Sequence, residues 1–448
     1  MASSTLDSDY YKDMFGTAEM RTVFSDENRL VSWLAVEQAL AKAQEQLGII
    51  PEGIAEKIQQ VTVGDFDIVK MKEEFDRVGF PILPFVKQLT GLMDSESSKW
   101  IHYGATTQDV LDTGMVLQIK EGLSLIENDL DGIIVATRRL AENHTETVMP
   151  GRTFQQHAAP ITLGYKVSVW LDELLRHRER FLELKKRLLV GQCAGAVGTF
   201  ATLGDQGWSV QKKMFDFLEL DQPNITWHTA RDRWAELVFW QALVAATLSK
   251  IANEVAILMR TEIGELSEPF VAGRGASTTL PQKRNPITCE PIIAIGTKLR
   301  EIVSSQLTAM IQEHERPVGP MHLEWVILPE SFVLFAGSLK HSRFVLENLV
   351  VDEMRMAENL KLNGGLIMAE AIMMGLAPKL GKKTAHDVLY QAAAFAIENK
   401  VSLEEALNQN SQIDELLTNK ELKALINPLN YLGSSQRMIE EVSKACNM

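Results

Sequence analysis

The stretch Ala272-Gly273-Arg274-Gly275-Ala276-Ser277-Thr278-Thr279-Leu280-Pro281-Gln282-Lys283-Arg284-Asn285-Pro286 separates two apolar helical runs. Its glycines permit positive φ and close backbone approach. Pro281 and Pro286 each fix φ and remove an amide donor. Asn285 followed by Pro286 reads as a helix N-cap and first helical residue. A hydroxyl-rich loop would then end on the positive end of a helix dipole, a setting that suits an anion. The plainer reading is a glycine-rich connection with a good cap.

Outward from this loop the pattern is helical. Leu111, Met115, Ile119, Leu123, Ile126, Leu130 and Ile134 repeat at steps of three or four. A helix from Asp109 to Asn143 would be roughly 50 Å long at about 1.5 Å per residue. Leu163 to Leu188 carries a second helix, with Arg176, Arg178, Arg180, Lys185 and Lys186 on its wet side. A third runs from Ala230 to about Glu262 and is apolar nearly all round, which predicts burial. A fourth begins at Pro286, its start distorted by Pro291, and a fifth begins near Glu324. Before them, Trp33, Val36 and Leu40 mark a helix from Asp26 to Leu47, stopped by Gly48. Strand alternation is scarce. The fold class read from this is all-α, an elongated bundle. The boundaries fall at 1–104, a small helical domain, 105–359, the long helices, and 360–448, shorter helices broken by glycine and proline.

Composition narrows the class. The 448 residues allow a large core or several domains. The net charge of −14 argues against a nucleic-acid partner, and an anionic substrate would need a local basic pocket. No uninterrupted apolar run reaches about 18 residues, so no membrane partner is expected. The first residues lack a basic and an apolar leader region. Cys193, Cys289 and Cys446 are widely spaced and suggest a reducing, cytoplasmic compartment. The nine histidines show no metal-ligand spacing, and Gly273-Arg274-Gly275 fits no nucleotide-binding pattern. No metal and no cofactor are expected.

Four further loops carry polar residues beside helices. His102-Tyr103-Gly104-Ala105-Thr106-Thr107-Gln108-Asp109 offers hydroxyls and an amide to a carboxylate, although Thr106 and Asp109 alone read as caps. Gly151-Arg152-Thr153-Phe154-Gln155-Gln156-His157 precedes the second helix. Trp227-His228-Thr229-Ala230-Arg231-Asp232-Arg233 opens the third, where Arg231 and Asp232 read equally as an ion pair. Glu313-His314-Glu315-Arg316 lies in a charged turn where an arginine fork suits an anion.

The signature loop resembles that of the fumarase/aspartase superfamily, Gly-Ser-Ser-x-Met-Pro-x-Lys-x-Asn-Pro. It is matched by Ala276 to Pro286, with Ala for the first Gly, Thr for the second Ser and Leu for Met. The other loops follow in the superfamily's order. The resemblance implies three helical domains, a central five-helix bundle and a homotetramer whose active sites are shared between subunits. It implies a small polycarboxylate substrate and a base-catalysed anti elimination or addition. Ser277 matches the family's catalytic serine. Lys283 and Asn285 would grip one carboxylate, Thr106, Thr107, Gln108, Thr153 and Gln156 a second, with His228 nearby and Arg316 adding charge. His157 is the first candidate for the general acid and His228 the second.

Within the superfamily the closest resemblance is to the 3-carboxy-cis,cis-muconate cycloisomerase branch, over Asp26 to Pro51, Gly104 to Asp109, Trp227 to Arg233 and Leu323-Glu324-Trp325. The adenylosuccinate lyase branch has a histidine where Phe154 stands, and a ring without a titratable nitrogen is no general acid. That branch's phosphate donors are replaced by Gly319, Met321, His322 and Trp325, and its first-domain histidine by the Phe80-Pro81-Ile82-Leu83-Pro84 segment. The alternatives are a C–N or C–O lyase releasing fumarate from a succinyl adduct, or a catalytically silent homologue that keeps the fold.

Overall fold

The computed structural model describes residues 4–269, 271, 273–409, 413 and 416–446. Ala272, the first residue of the signature loop, lies outside the described residues. The all-α expectation holds: helices dominate, and the described strands are two short antiparallel pairs. The long helices are α1 (Asp26–Gln46), α2 (Thr107–Asn143), α3 (Leu163–Leu188), α4 (Asp232–Leu258), α5 (Cys289–Ala309) and α6 (Pro320–Glu347). The chain forms two compact units. One holds the chain up to Leu130, His177–Ala246 and Ala294–Lys340; the other holds Asp131–Arg176, Thr247–Ile293 and the chain from His341 on. Helices α2 to α6 each contribute residues to both units.

In the first unit, α1 is capped by Ser25, whose hydroxyl accepts from Asn28 N–H. It ends at Gly48 (φ 68°), whose N–H reaches the Glu45 carbonyl while Ile49 N–H reaches that of Gln44. These crossed bonds satisfy two orphan carbonyls and need a left-handed residue at Gly48. The core is aromatic where α3, α4 and α6 meet. Trp240 packs against Phe181 and Phe335, and its indole N–H donates to the His177 carbonyl at 3.0 Å. Leu237, Val238 and Val244 are fully buried but Phe239 is 52 % exposed, so α4 is not covered on every side. By composition α4 is apolar enough to cross a membrane; 72 % of its most apolar window is buried inside the protein, so it is a core helix.

In the second unit, β1 (Val148–Thr153) and β2 (Gln156–Thr162) form a hairpin, and β3 (Leu266–Ser267) pairs with β4 (Val350–Val351). Past residue 360 short helices enclose a core that includes Ile372, Leu376, Ala385 and Leu407.

Two details at α5 differ from expectation. The helix begins at Cys289, not Pro286. Asn285 does not cap it: its backbone and side-chain N–H groups donate to the Gly275 carbonyl at 3.3 and 3.4 Å. The cap comes from Glu268, 8 % exposed, whose carboxylate accepts from Thr288 N–H (3.0 and 3.1 Å) and Cys289 N–H (2.7 Å). A carboxylate of the protein therefore answers the helix dipole. Pro291 sits in the first turn, where a missing amide costs no helical bond, so it marks the start of the helix without breaking it.

Candidate active site

The residues singled out from the sequence fall into two groups, one in each unit. In the first unit they lie on and around the start of α2. Asp109, 1 % exposed, organises the turn. Its carboxylate accepts from the backbone N–H groups of Thr106 (3.0 Å), Ala194 (3.1 Å) and Gly195 (2.9 Å) and from His228 Nε2 (2.8 Å). A carboxylate only accepts, so Nε2 carries the proton. Nδ1 of His228 then faces the Thr226 hydroxyl at 3.3 Å. His228 is 3 % exposed, with both nitrogens turned to protein groups.

Gln108 is the hub of this group. Its amide donates to the His228 carbonyl (2.8 Å) and to Asp112 Oδ2 (3.1 Å), and its carbonyl accepts from Arg316 Nε (2.9 Å). Arg316 Nη2 also donates to the Ala196 carbonyl at 3.1 Å. Gln108, His228 and Arg316 are thus brought into one network. The Gln108 amide is spent within it, so its part is to hold Arg316 and His228 in place. Thr106 lends its backbone to Asp109, and Thr107 is the first residue of α2.

Two buried ion networks support this turn. Arg231, 2 % exposed, makes a fork to Asp112 (2.8 and 2.9 Å) and reaches Glu324 through Nε (3.1 and 3.0 Å) and Nη2 (2.8 Å). The expected Arg231–Asp232 pair is therefore replaced by Asp112 and Glu324. Burial opposes the charge on Arg231, but the two carboxylates outweigh it and raise its pKa. Burial holds the Glu324 carboxyl above its ordinary value despite Arg231. Trp234 lies under the guanidinium at 3.7 Å. Separately, His102, at a left-handed φ of 58°, donates its backbone N–H to Glu37 at 3.1 Å, with Nδ1 at 2.6 Å from the same carboxylate. Burial would lower the His102 pKa; the charge and hydrogen bond of Glu37 override it and raise the value.

In the second unit the β1–β2 hairpin turns through Phe154 (φ 51°) and Gln155 (φ 66°), between the paired Thr153 and Gln156. This two-residue turn with both φ positive usually calls for Asn or Gly. Phe154 is 99 % exposed at its tip. Thr153 and Gln156 are exposed and His157 half-buried. Arg152, opposite His157 in register, is forked to Glu265 at 2.8 and 2.6 Å. Burial, then the charge of Arg152, depresses the His157 pKa, partly offset by Glu265.

The signature loop folds on itself. Gly275 (φ 70°) allows the turn back to Asn285, and Ala276 bridges to Arg284. Ser277 Oγ accepts from two backbone amides, Thr279 N–H at 3.2 Å and Leu280 N–H at 3.1 Å. Lys283 is exposed on the same loop. Two donors aimed at one hydroxyl oxygen favour its alkoxide form.

Asp112, Glu37 and Glu265 were not singled out from the sequence, and Asp109 and Glu324 were named there without their roles as buried partners. A signal for burial existed for three of these five. Asp109 and Asp112 sit within an apolar helical stripe, and Glu37 lies between Val36 and Leu40 on a buried face.

Residues 15–300 match the family model described as "Lyase", and residues 365–442 that described as "Adenylosuccinate lyase C-terminus". The chain is 40 % identical to a 3-carboxy-cis,cis-muconate cycloisomerase of Pseudomonas aeruginosa, over 95 % of this chain and 94 % of that protein. It is 38 % identical to trans-aconitate decarboxylase 1 of Mycosarcoma maydis (96 % and 87 % covered). It is 36 % identical to an N-acetyl-S-(2-succino)cysteine lyase of Dickeya dadantii (99 % and 97 %). The crystal structure of the 3-carboxy-cis,cis-muconate lactonizing enzyme from Pseudomonas putida superposes with a TM-score of 0.93 at 35 % identity, covering 98 % of this chain and 99 % of that one. With the loops in order, the helical fold and these matches along its length, the chain belongs to the fumarate lyase superfamily, the fumarase/aspartase group, and is an enzyme of that group.

Proposed function

We propose that this enzyme carries out a base-catalysed anti elimination or addition on a small polycarboxylate, in the manner of 3-carboxy-cis,cis-muconate cycloisomerase. The observation that carries the reading is Ser277 Oγ between the amides of Thr279 and Leu280, at the position of the family's catalytic serine. A free serine is a weak base; the two amide donors lower the cost of its alkoxide. In the elimination direction Ser277 takes a proton from the carbon α to a carboxylate. The C–H electron pair enters that carboxylate as the aci form, and its return expels the leaving oxygen on the opposite face. Lactone formation is the reverse: a carboxylate oxygen adds across the double bond and Ser277 returns the proton.

Lys283 and Asn285 bind the carboxylate that takes up charge, and Thr106, Thr107, Thr153, Gln156 and Arg316 bind the others. Gln108 and His228 act through the positions they fix. His157 is the candidate acid. Its depressed pKa makes it neutral at pH 7 when free, and a bound polyanion would raise it. The site is shared between copies in a homotetramer, a reading supported by apolar side chains left exposed on the long helices, among them Val169, Phe239, Leu307 and Val326. We place the enzyme in the cytoplasm.

A second reading, a lyase acting on a succinyl adduct, is favoured by the similarity to the succinocysteine lyase. Adenylosuccinate itself is disfavoured by Phe154 and by Gly319, Met321, His322 and Trp325. The deciding experiment is an ultraviolet assay of the purified enzyme on 3-carboxymuconate, trans-aconitate and a panel of succinyl adducts. Turnover of 3-carboxymuconate with loss of the conjugated-diene band is expected. Fumarate release from an adduct in its absence would select the second reading, and inactivity on the whole panel would overturn both and place the substrate outside it.

A further inference from the structure

The first unit contains a cavity of about 270 Å³ that none of the proposed catalytic steps uses. Its walls include Trp33, Phe75, Trp234 and Trp325, with Arg29 and Asp112 among the polar lining. Three indoles and a phenyl ring give flat, polarisable walls suited to a planar apolar body. The volume lies just below the roughly 300–1,000 Å³ of drug-sized sites, which matches a single-ring ligand.

Two observations fix the polarity of that ligand. Trp234 is 3 % exposed, and its indole N–H is buried with no hydrogen-bond partner among the described residues. A buried donor left unpaired is costly, so it calls for an acceptor. Arg29 adds a guanidinium that is partly exposed and paired with Asp26, itself open to solvent. Arg231 forks both oxygens of Asp112, so that carboxylate offers its repulsion to an anion partly screened, and Arg29 supplies the opposing charge at the rim. The unpartnered indole N–H and the partly exposed guanidinium thus favour an acceptor with negative charge.

We propose that this cavity is a binding site for a small planar carboxylate, an aromatic or conjugated acid. The carboxylate meets the Trp234 indole N–H and the Arg29 guanidinium, and the ring lies among Trp33, Phe75 and Trp325. The site is independent of the reading of Ser277 and its loop.

Titration calorimetry of the full-length protein with benzoate, and with benzyl alcohol as the uncharged analogue, tests this. Benzoate is expected to bind in the millimolar range or tighter and to quench tryptophan fluorescence, with benzyl alcohol at least about tenfold weaker. Trp234→Phe keeps the ring and deletes the N–H; a loss of roughly tenfold in benzoate affinity is expected, as for a hydrogen bond to a charged group. Arg29→Gln, at the partly exposed rim, should weaken benzoate similarly and settles the matter if Trp234→Phe fails to fold. Lys283→Ala should leave benzoate binding unchanged, which separates this cavity from the candidate active site. The proposal is overturned if benzoate does not bind, as when another copy of the chain fills the cavity. It is overturned equally if benzyl alcohol binds as well as benzoate, or if Lys283→Ala abolishes binding while Trp234→Phe and Arg29→Gln retain it.

Discussion

Replacing Arg231 by Met keeps much of its volume and removes its charge. What remains is two carboxylates, Asp112 at 2 % and Glu324 at 0 % exposure, facing each other without their cation. Breaking a buried pair this way costs about 3–5 kcal/mol. Protonation sets a ceiling. Neutralising an ordinary aspartate of pKa about 3.9 costs about 4 kcal/mol at pH 7 and about 1.5 kcal/mol at pH 5, at 1.36 kcal/mol per unit. Glu324, already held up by burial, costs less. In the variant Glu324, already held above its ordinary value by burial, loses the cation that opposed that rise. The folded state is then least penalised below the unfolded pKa of this group and loses stability as pH rises through the folded one. The urea midpoint of Arg231→Met should therefore fall far below wild type at pH 7.5 and recover about half the gap at pH 5. Fluorescence of Trp227 and Trp234, at 5.1 and 3.7 Å from the guanidinium, reports the region directly. Adding Asp112→Leu and Glu324→Leu to the variant should restore most of the loss, because an apolar triad has no charge to desolvate. A single variant within about 1 kcal/mol of wild type, or a penalty independent of pH, would refute the reasoning.

Ser277→Ala should lower turnover by roughly 10²- to 10⁴-fold while leaving substrate binding near wild type by calorimetry, whereas Lys283→Ala should weaken both; turnover of Ser277→Ala within a few-fold of wild type sinks the assignment. His102 has a raised pKa in the folded protein, so its pairing with Glu37 stabilises fully below about 6.5 and fades as pH climbs through the folded value. Glu37→Gln should move the His102 NMR titration to lower pH and flatten that dependence, and an unchanged titration would contradict the pairing. Glu268→Ala leaves the Thr288 and Cys289 amides without a partner, at about 1–3 kcal/mol; hydrogen exchange at the first turn of α5 should speed up, and unchanged protection would show that water replaces the cap.

The long helices were legible because apolar residues at steps of three and four are local information. Leu163 to Leu188 was read to the residue, and Gly48 ended its helix as a left-handed cap must. The loops were legible as chemistry-bearing, but not who holds whom. Arg231 took Asp112 and Glu324, 119 and 93 residues away, over its neighbour Asp232, because only those carboxylates are buried beside it. Asn285 followed by Pro286 carries every local mark of a cap, yet Glu268 makes the cap from 20 residues upstream. Partner choice across such distances depends on packing, which no local spacing encodes.

Because α2 to α6 each feed both units, neither unit is a contiguous piece of the gene product. Gln108 meets Arg316 across 208 residues. On a ribosome adding 5–20 residues per second, its partner emerges roughly 10–40 s later. The nascent chain must carry the apolar stripe of α2 uncovered for that interval, so domain-by-domain folding during synthesis is closed to this topology. Fragments ending before Lys340 should be clients of holding chaperones, and the gene cannot be split at a unit boundary to yield a half that folds alone.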